Sequence, residues 1–272
     1  MSTTTTRQTT RAAAPTLATV GRIFFALGLA GLGASHFVFG DFMTGRAPAW
    51  PEGVPGGTAW AYATGAAFIA VGAAILARRG ERLAALFDAA LIFGWALLRN
   101  IPVVAADRLL GGMWTQGGKS LTLLGGALAV AATLPPISGG DAGYLRLLNL
   151  RREFTTVGRV CLALFFIITG IQHYIYTAFV ASLIPAWFPG DAVFWTYFAG
   201  VALVAGGIGL LTPWTARLAA LLSGIMVFSW FWIVHLPRTF ASVSDGIAVF
   251  EALAVAGIAF VLAGSLETGR ER

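Results

Sequence analysis

The sequence predicts an all-α membrane protein, a bundle of eight transmembrane helices arranged as two parallel four-helix repeats. Three observations indicate this fold class. The 272-residue chain is 57% hydrophobic and only 11% charged, whereas soluble domains carry about a quarter charged residues. The apolar residues fall into eight runs, each long enough to cross a bilayer as a helix. The two halves of the chain also repeat the same order of Trp, His, Pro, Gly and Arg residues.

The first half of the chain contains four of these runs. Residues 1–18 are polar and Thr-rich, with no apolar core or cleavage signal, and they predict a disordered cytoplasmic tail. Residues 19–134 are predicted to form the first repeat, with apolar runs at 19–39, 60–77, 83–101 and 120–134. The polar interval 135–156 contains Arg146, Arg151 and Arg152 and predicts a cytoplasmic linker.

The second half follows the same plan. Residues 157–266 are predicted to form the second repeat, with apolar runs at 157–180, 193–211, 217–236 and 246–266, and residues 267–272 form a polar tail. Thirteen of the eighteen basic residues lie on the N-terminal side of the predicted spans and five on the other. By the positive-inside rule both termini are cytoplasmic. The almost exclusive use of arginine over lysine indicates a bacterial gene, so the expected location is the cell (inner) membrane.

The repeat is recognised from uncommon residues that recur in register. His36 and Trp50 recur as His173 and Trp187 at an offset of 137 residues. The segment 82–86 recurs unchanged as 217–221 at an offset of 135. Because each half has an even number of spans, both halves enter the membrane in the same direction, as parallel repeats do.

Two histidines, His36 and His173, close the first helix of each half. Gly33 and Gly170 lie three residues earlier, on the same helical face. Glycine lets a neighbouring helix approach closely, so this face is predicted to point into the bundle. The alternative is that each histidine is an interfacial residue that makes one hydrogen bond.

Asn100 and His235 occupy equivalent positions two residues before a proline, at an offset of 135. The proline is expected to end the third helix of each half and to free backbone carbonyls, which these side chains can help to satisfy. Alternatively, they form one polar layer with the histidines. Trp95 and Trp230, five residues earlier, then supply aromatic walls, unless they are core residues.

Glu251 lies about five residues inside the last apolar run. An ionised group there is expected to face the interior beside a partner. Lys119, Arg99 and Arg238 are the candidate partners, and the carboxylate either forms a structural ion pair or handles protons or a ligand. Asp88, near the inner end of the third helix, is expected to reach water.

Several functional classes lack support in the sequence. The basic residues form no cluster with interleaved aromatic residues, which argues against nucleic acid as a partner. The single cysteine, Cys161, excludes an internal disulfide. There is no phosphate-binding glycine loop and no His-Glu-x-x-His motif. Histidines on three helices can in principle hold haem or a metal in a bundle, but no spacing motif favours either group.

The stretch Gly170-Ile-Gln-His173-Tyr, followed by Ile184-Pro-Ala-Trp-Phe-Pro189, Gly200 and Gly206-Gly207, resembles the DoxX/DoxD-like family of bacterial integral membrane proteins. The chain looks like two such four-helix units fused in tandem, over about residues 20–134 and 157–266. The resemblance implies a membrane subunit of a redox complex linked to thiosulfate oxidation with quinone as acceptor. Related sequences often carry an acid where this chain has Phe68 and Leu203.

These observations lead to a hypothesis and two alternatives, and they leave open whether the protein is an enzyme. The hypothesis is that one or both halves bind a small lipophile, such as quinone, near the outer leaflet. The polar head would contact His36, Asn100, His173 and His235, with Trp95 and Trp230 beside it. The alternatives are a non-enzymatic scaffold without a cofactor and, less favoured because few charges are buried, a transporter. The partners are the lipid bilayer and other subunits of a redox complex.

Overall fold

The computed structural model describes residues 16–42, 50–137, 143–240 and 245–266, most of which lie in helices. The helices are α1 (Leu17–Phe39), α2 (Gly57–Ala77), α3 (Glu81–Ala106), α4 (Gly112–Thr133), α5 (Gly143–Leu148), α6 (Arg151–Ile175), α7 (Thr177–Ser182), α8 (Ala192–Leu211), α9 (Ala216–Thr239) and α10 (Gly246–Ser265). The two predicted tails lie mostly or wholly outside the described residues, as does part of the predicted linker.

Among the described residues, seven helices are long and apolar enough to cross a membrane, namely α1, α2, α3, α6, α8, α9 and α10. The prediction of an all-α chain with several helices able to span a membrane is confirmed by the length and composition of these helices. Helix α4 has 22 residues, a length of about 33 Å, but it is not among the seven. Gln116 and Lys119 in its N-terminal half lower its hydropathy below that of the others.

The long helices pack side by side in a ring. Around the ring the order is α1, α2, α3, α4, α6, α8, α9 and α10, and α10 returns to pack against α1. Helices α4 and α10 also contact each other across the middle of the bundle. The last helix of each half therefore packs against the first helix of the other half.

Glycines allow the closest of these helix contacts. A methyl group on Gly33 of α1 would lie 2.5 Å from the carbonyl oxygen of Gly65 on α2. A methyl group on Gly170 of α6 would lie 2.9 Å from the carbonyl oxygen of Gly200 on α8. Any larger residue would force these backbones apart. Small residues at such crossings are typical of helix packing within membranes.

The distribution of polarity also fits a lipid environment. Large apolar side chains lie on the outer surface, for example Leu98, Phe179 and Leu218, which are 73%, 66% and 58% exposed. In contrast, His36 and Asn100 are buried. A soluble protein that exposed so much apolar surface would aggregate, whereas in a bilayer the same surface faces lipid tails. The fold is that of a multi-pass helical membrane protein.

Two arginines, the buried Arg82 and the exposed Arg217, contact the free carbonyl groups where α4 and α10 end. The Arg82 guanidinium donates to the carbonyl oxygens of Ala131 and Leu134 at 2.8 and 3.0 Å. Arg217, at the equivalent position in the second half, donates to the Ala263 carbonyl at 3.2 Å. The last carbonyls of a helix have no partner within it and carry partial negative charge, so a cation there is favourable.

Two sequence expectations about helix ends differ from the structure. The third helix of each half does not end at its proline, because α3 continues through Pro102 to Ala106 and α9 through Pro237 to Thr239. Helix α6 begins at Arg151, inside the predicted linker 135–156. Its first two turns are polar, so they do not belong to the apolar run from which the boundary was predicted.

Asp88 does not reach water as the sequence suggested. Its side chain is fully buried on α3, and neither carboxylate oxygen has a hydrogen-bond partner among the described residues. Asp88 faces inward together with Ala85, Ala89 and Ile92, on the side that packs toward α4. The face of the helix, rather than the distance from its end, determines this burial.

Candidate functional site

All seven residues predicted for the site line two cavities inside the helix bundle. His36, Trp95 and Asn100 line the first cavity, and His173, Trp230 and His235 line the second. Glu251 borders both cavities, as do Lys119 and Val255. The structure therefore groups the predicted residues by half of the chain, with one charged pair between the two groups.

The two histidines have the same backbone contact. His36 Nδ1 lies 2.9 Å from the Leu32 carbonyl oxygen, and His173 Nδ1 lies 2.7 Å from that of Thr169. A carbonyl can only accept, so Nδ1 carries the hydrogen in each neutral ring and Nε2 is left as an acceptor. Each histidine makes the single hydrogen bond of the interfacial alternative, yet each also borders a cavity.

Asn100 and His235 reach the cavities because each closes a π-helical turn, Ala96–Asn100 in α3 and Phe231–His235 in α9. The amide of Ile101 donates to the Ala96 carbonyl, five residues back, and Leu236 does the same to Phe231. The extra residue lets the helix continue past a proline ring that would clash with a regular α-helical turn. These turns, which replace the predicted helix ends, are frequent at functional sites.

The charged pair between the cavities joins α4 and α10. Lys119 Nζ donates to Glu251 Oε2 at 2.6 Å, and the side chains are 21% and 13% exposed. Of the three cations considered from the sequence, Lys119 is the partner, and Arg238 pairs instead with Asp245 at 3.3 Å. Each cavity thus has an ammonium and a carboxylate on its inner wall.

The first cavity is small, with a volume of about 90 Å³. The Arg99 guanidinium lies 4.2 Å from the centre of the Phe42 ring and 5.5 Å from that of Trp50. The Phe42 and Trp50 rings stack with their centres 5.6 Å apart. The Trp95 indole N–H donates to the Thr64 hydroxyl at 3.1 Å. The Arg99 guanidinium and the aromatic rings attract one another through cation–π contacts, and they leave little free volume in the first cavity.

The second cavity is larger, about 400 Å³, and its lining is mainly apolar. Val234 takes the place of Arg99, and Ala199 takes the place of Thr64, at an offset of 135. The Trp230 indole therefore lacks the hydroxyl acceptor that Trp95 has. Short helix α7 and the following loop contribute Val180, Leu183, Ile184 and Phe188 to the wall. A cavity of this size and character suits a small organic molecule.

The two proline loops differ in their environment. Pro48 and Ala49 lie outside the described residues, whereas Trp50 packs on Phe42 and donates its indole N–H to the Val54 carbonyl at 2.8 Å. Trp187 is 63% exposed, as an interfacial tryptophan would be. The two tryptophans, 137 residues apart in the sequence, therefore have different surroundings.

Sequence reasoning missed Phe42 and the role of Arg99. Phe42 lies in the segment that follows α1, where no helical periodicity indicates which side chains face inward. The sequence suggests Arg99 only as a partner for Glu251, whereas in the structure it is buried against aromatic rings. The change from Arg99 to Val234 between equivalent positions was the available signal that the two sites differ.

The described residues include no group of three or more His, Cys, Asp or Glu side chains that could hold a metal ion. Cys161 is a buried free thiol on α6 and is not among the residues that line either cavity. Hydrogen-bonding groups and a charged pair are therefore what the described part of the cavities offers to a ligand.

The fold and cavities define a class, a multi-pass helical membrane protein with polar groups converging on interior space. Within that class, residues 162–261 are similar to a family described as a domain of unknown function, DUF8561. The matched range contains His173, Trp230, His235 and Glu251, the predicted residues around the second cavity. No curated protein and no solved structure matches the chain.

Proposed function

We propose that the second cavity binds a small lipophilic molecule with a polar head group, and that quinones are the chemical class it fits best. The observation that carries the proposal is a mainly apolar cavity of about 400 Å³ that His173, His235, Lys119 and Glu251 border. Binding sites for small molecules combine mostly apolar walls with a few well-placed polar groups. A flat ring with oxygens at its edge uses both features.

His173 is the residue that we expect to recognise the head group. Because its Nδ1 hydrogen is held by the Thr169 carbonyl, Nε2 is the acceptor available to a ligand. A hydroquinone hydroxyl can donate to this nitrogen, so the reduced form of the ligand is the one that His173 recognises. Lys119 and His235 border the same cavity and can donate to a quinone oxygen.

The sequence left open whether one or both halves bind a ligand, and we assign binding to the second half. The first cavity has about 90 Å³, less than the volume range of about 300–1,000 Å³ that is typical of ligand pockets. Arg99 on the Phe42 ring adds a buried cation there, which a neutral lipophile does not need. The first half then acts as the structural counterpart of the binding half.

We also propose that the chain is a tandem of two DoxX-like four-helix repeats with eight spans, α4 being the eighth. The order of helix contacts supports this, since α1–α2, α3–α4 and α1–α10 correspond to α6–α8, α9–α10 and α6–α4. The π-helical turns lie at an offset of 135. Lys119 and Glu251, 132 residues apart, meet between the last helices of the two halves.

We propose that the protein lies in the cell (inner) membrane with both termini in the cytoplasm and serves as a quinone-associated subunit of a redox complex. The charge asymmetry supports the orientation, since thirteen of the eighteen basic residues lie on the N-terminal side of the helices. In that orientation the histidine cavities lie toward the outer leaflet.

The test is direct binding to the purified full-length protein in a mild detergent. We expect decylubiquinone and its reduced form to bind with a single site in a calorimetric titration. His173→Ala should weaken binding of the reduced form at least tenfold, because it removes the acceptor for the hydroquinone hydroxyl and leaves that donor unpaired. His36→Ala, the equivalent change at the first cavity, should alter affinity less than twofold.

Two outcomes contradict the proposal. If both alanine variants bind like the native protein, His173 does not recognise the head group. If no quinone binds and lipid extracts of the purified protein contain none, a scaffold without a cofactor becomes the better account. Matching circular dichroism spectra and elution volumes establish that each variant is folded.

A further inference from the structure

A third concavity lies at the opposite end of the bundle from the histidine cavities. It has a volume of about 950 Å³ and is bordered by the beginnings of α1 and α6 and the ends of α4 and α10. Arg159 and His173 are fourteen residues apart on α6, so the two sites are separated by about 21 Å along that helix. Neither cavity described above shares a residue with it.

Arginine dominates the charge of this concavity. Every charged side chain among the described residues that line it is an arginine, namely Arg22, Arg151, Arg152 and Arg159. Hydroxyl-bearing residues make up much of the remaining lining, namely Thr16, Thr133, Thr155, Thr156 and Ser265. Four like charges around one concavity repel each other, and a bound anion would relieve that repulsion.

Two of these arginines have a structural role at the end of α4. Arg22 donates to the Thr133 carbonyl at 3.1 Å, and Arg151 donates to the Leu134 carbonyl at 3.0 Å. Guanidinium groups are favourable at a helix C-terminus, where the last carbonyls carry partial negative charge. This contact explains Arg22 and Arg151 without any ligand.

The other two arginines are not explained in that way. Within the described part of the chain, the guanidinium groups of Arg152 and Arg159 make no hydrogen bond or ion pair, and the Arg159 Nε atom is buried without a partner. A buried N–H of a cation that lacks an acceptor costs free energy. The guanidinium fork matches the oxygens of a phosphate group, to which it can donate two parallel hydrogen bonds.

We propose that this concavity, which we call the arginine site, binds the phosphate head group of an anionic phospholipid. Its position supports a lipid as the source of the phosphate. It lies where the ends of helices α1, α6 and α10, all apolar enough to span a membrane, come together. Head groups lie at that level of a bilayer, and basic pockets between helix ends are suited to them. This site is independent of the quinone site proposed above.

In the experiment, the purified full-length protein in a neutral detergent is titrated with dioctanoyl phosphatidylglycerol. Native mass spectrometry measures the bound lipid, and thermal unfolding is followed in parallel. We expect saturable binding of phosphatidylglycerol that weakens as salt is added. Dioctanoyl phosphatidylcholine and inorganic phosphate, at matched ionic strength, should bind at least tenfold more weakly.

The decisive variants change the two arginines that lack a partner. Arg152→Gln with Arg159→Gln should raise the midpoint concentration for phosphatidylglycerol at least tenfold. Arg152→Lys with Arg159→Lys should give a midpoint concentration between those of the native protein and the glutamine pair, because lysine keeps the charge but lacks the guanidinium fork. The matched control is Arg78→Gln with Arg79→Gln, which removes two charges from the end of α2 outside the arginine site. It should change the midpoint concentration for phosphatidylglycerol less than twofold.

Each other result counts against the proposal. Equal binding of phosphatidylcholine would show that acyl chains, not the charged head group, are recognised. Equal binding of inorganic phosphate would show a phosphate site that needs no lipid. If the control pair weakens binding as much as the Arg152 and Arg159 pair, the effect is one of net charge and the arginine site is not specific.

Discussion

At the scale of single residues, His36 and His173 differ in their surroundings and not in their backbone contact. Both rings donate from Nδ1 to the carbonyl one turn earlier. Phe42 and Phe68 pack edge-on against the His36 ring, with 5.7 and 5.9 Å between ring centres. The His173 ring instead borders open space, with Trp230 at 6.5 Å between ring centres. The same side chain is therefore packed in one half and available in the other.

Lys119 and Glu251 provide a residue-scale prediction. We expect Lys119→Met to lower the free energy of unfolding by about 3 kcal/mol, because it leaves a partly buried carboxylate without its nearest cation. The double variant Lys119→Met with Glu251→Met should recover most of that loss, since apolar side chains can replace a buried pair. Chemical unfolding in detergent measures both changes. Additive losses in the double variant would show that the two side chains are not coupled.

The sequence predicted much of the site at this scale but not its asymmetry. The spacing of glycine and histidine identifies an inward helical face, so His36 and His173 were found. The burial of Asp88 and the ring contacts of Arg99 depend on which face of α3 meets α4 and on the course of the segment after α1. Such information is tertiary, and a single sequence carries no direct signal for it.

At the scale of helices, close glycine contacts fix how α1 meets α2 and how α6 meets α8. We expect Gly170→Ala to destabilise the protein by about 1–3 kcal/mol, because its methyl group would lie 2.7 Å from a Val204 methyl carbon and crowd the Gly200 backbone. Gly94→Ala is the matched control, since no atom lies within 4 Å of its added methyl group.

Gly94→Ala should leave stability unchanged or raise it by up to about 1 kcal/mol, as alanine favours helix over glycine. Thermal unfolding in the same detergent compares the two variants. Equal effects of both substitutions would contradict a close contact between α6 and α8 at Gly170.

The helix boundaries show where periodicity is and is not informative. Eight apolar runs were read from the sequence, and each overlaps a long helix of the structure. The π-helical turns before Pro102 and Pro237 were not predicted, because a proline in a helical pattern is ordinarily taken as an end. Whether a helix stops or widens there depends on packing around the extra residue, which α4 and α10 supply.

At the scale of the whole molecule, we predict that α4 crosses the membrane although its composition is less apolar. Leu109 precedes α4 and Leu147 follows it, and both are exposed. In a Cys161→Ser background, we expect Leu109→Cys to react with a membrane-impermeant maleimide in intact cells. Leu147→Cys should react only after the membrane is permeabilised. Reaction of both positions from the same side would mean that α4 does not span.

The candidate sites lie at opposite ends of the bundle. The histidine cavities lie at one end and the arginine site at the other, and the Lys119–Glu251 pair lies between the two halves. Similar residues recur at fixed sequence offsets, for example His36 and His173, which are 137 residues apart. Positions 135 residues apart also differ, such as Val234 and Arg99, and of the two histidine cavities the second is the larger, with about 400 Å³ against about 90 Å³.

The central claim is that a quinone occupies the second cavity, and photoaffinity labelling tests it most directly. An azido-quinone is bound to the purified protein and irradiated, and the labelled peptides are mapped by mass spectrometry, with decylubiquinone as competitor. We predict label on the segments of α6, α8 and α9 that line the second cavity, and loss of that label when the competitor is present. Label on the Phe42 and Trp95 side, or label that competitor does not displace, would contradict the claim.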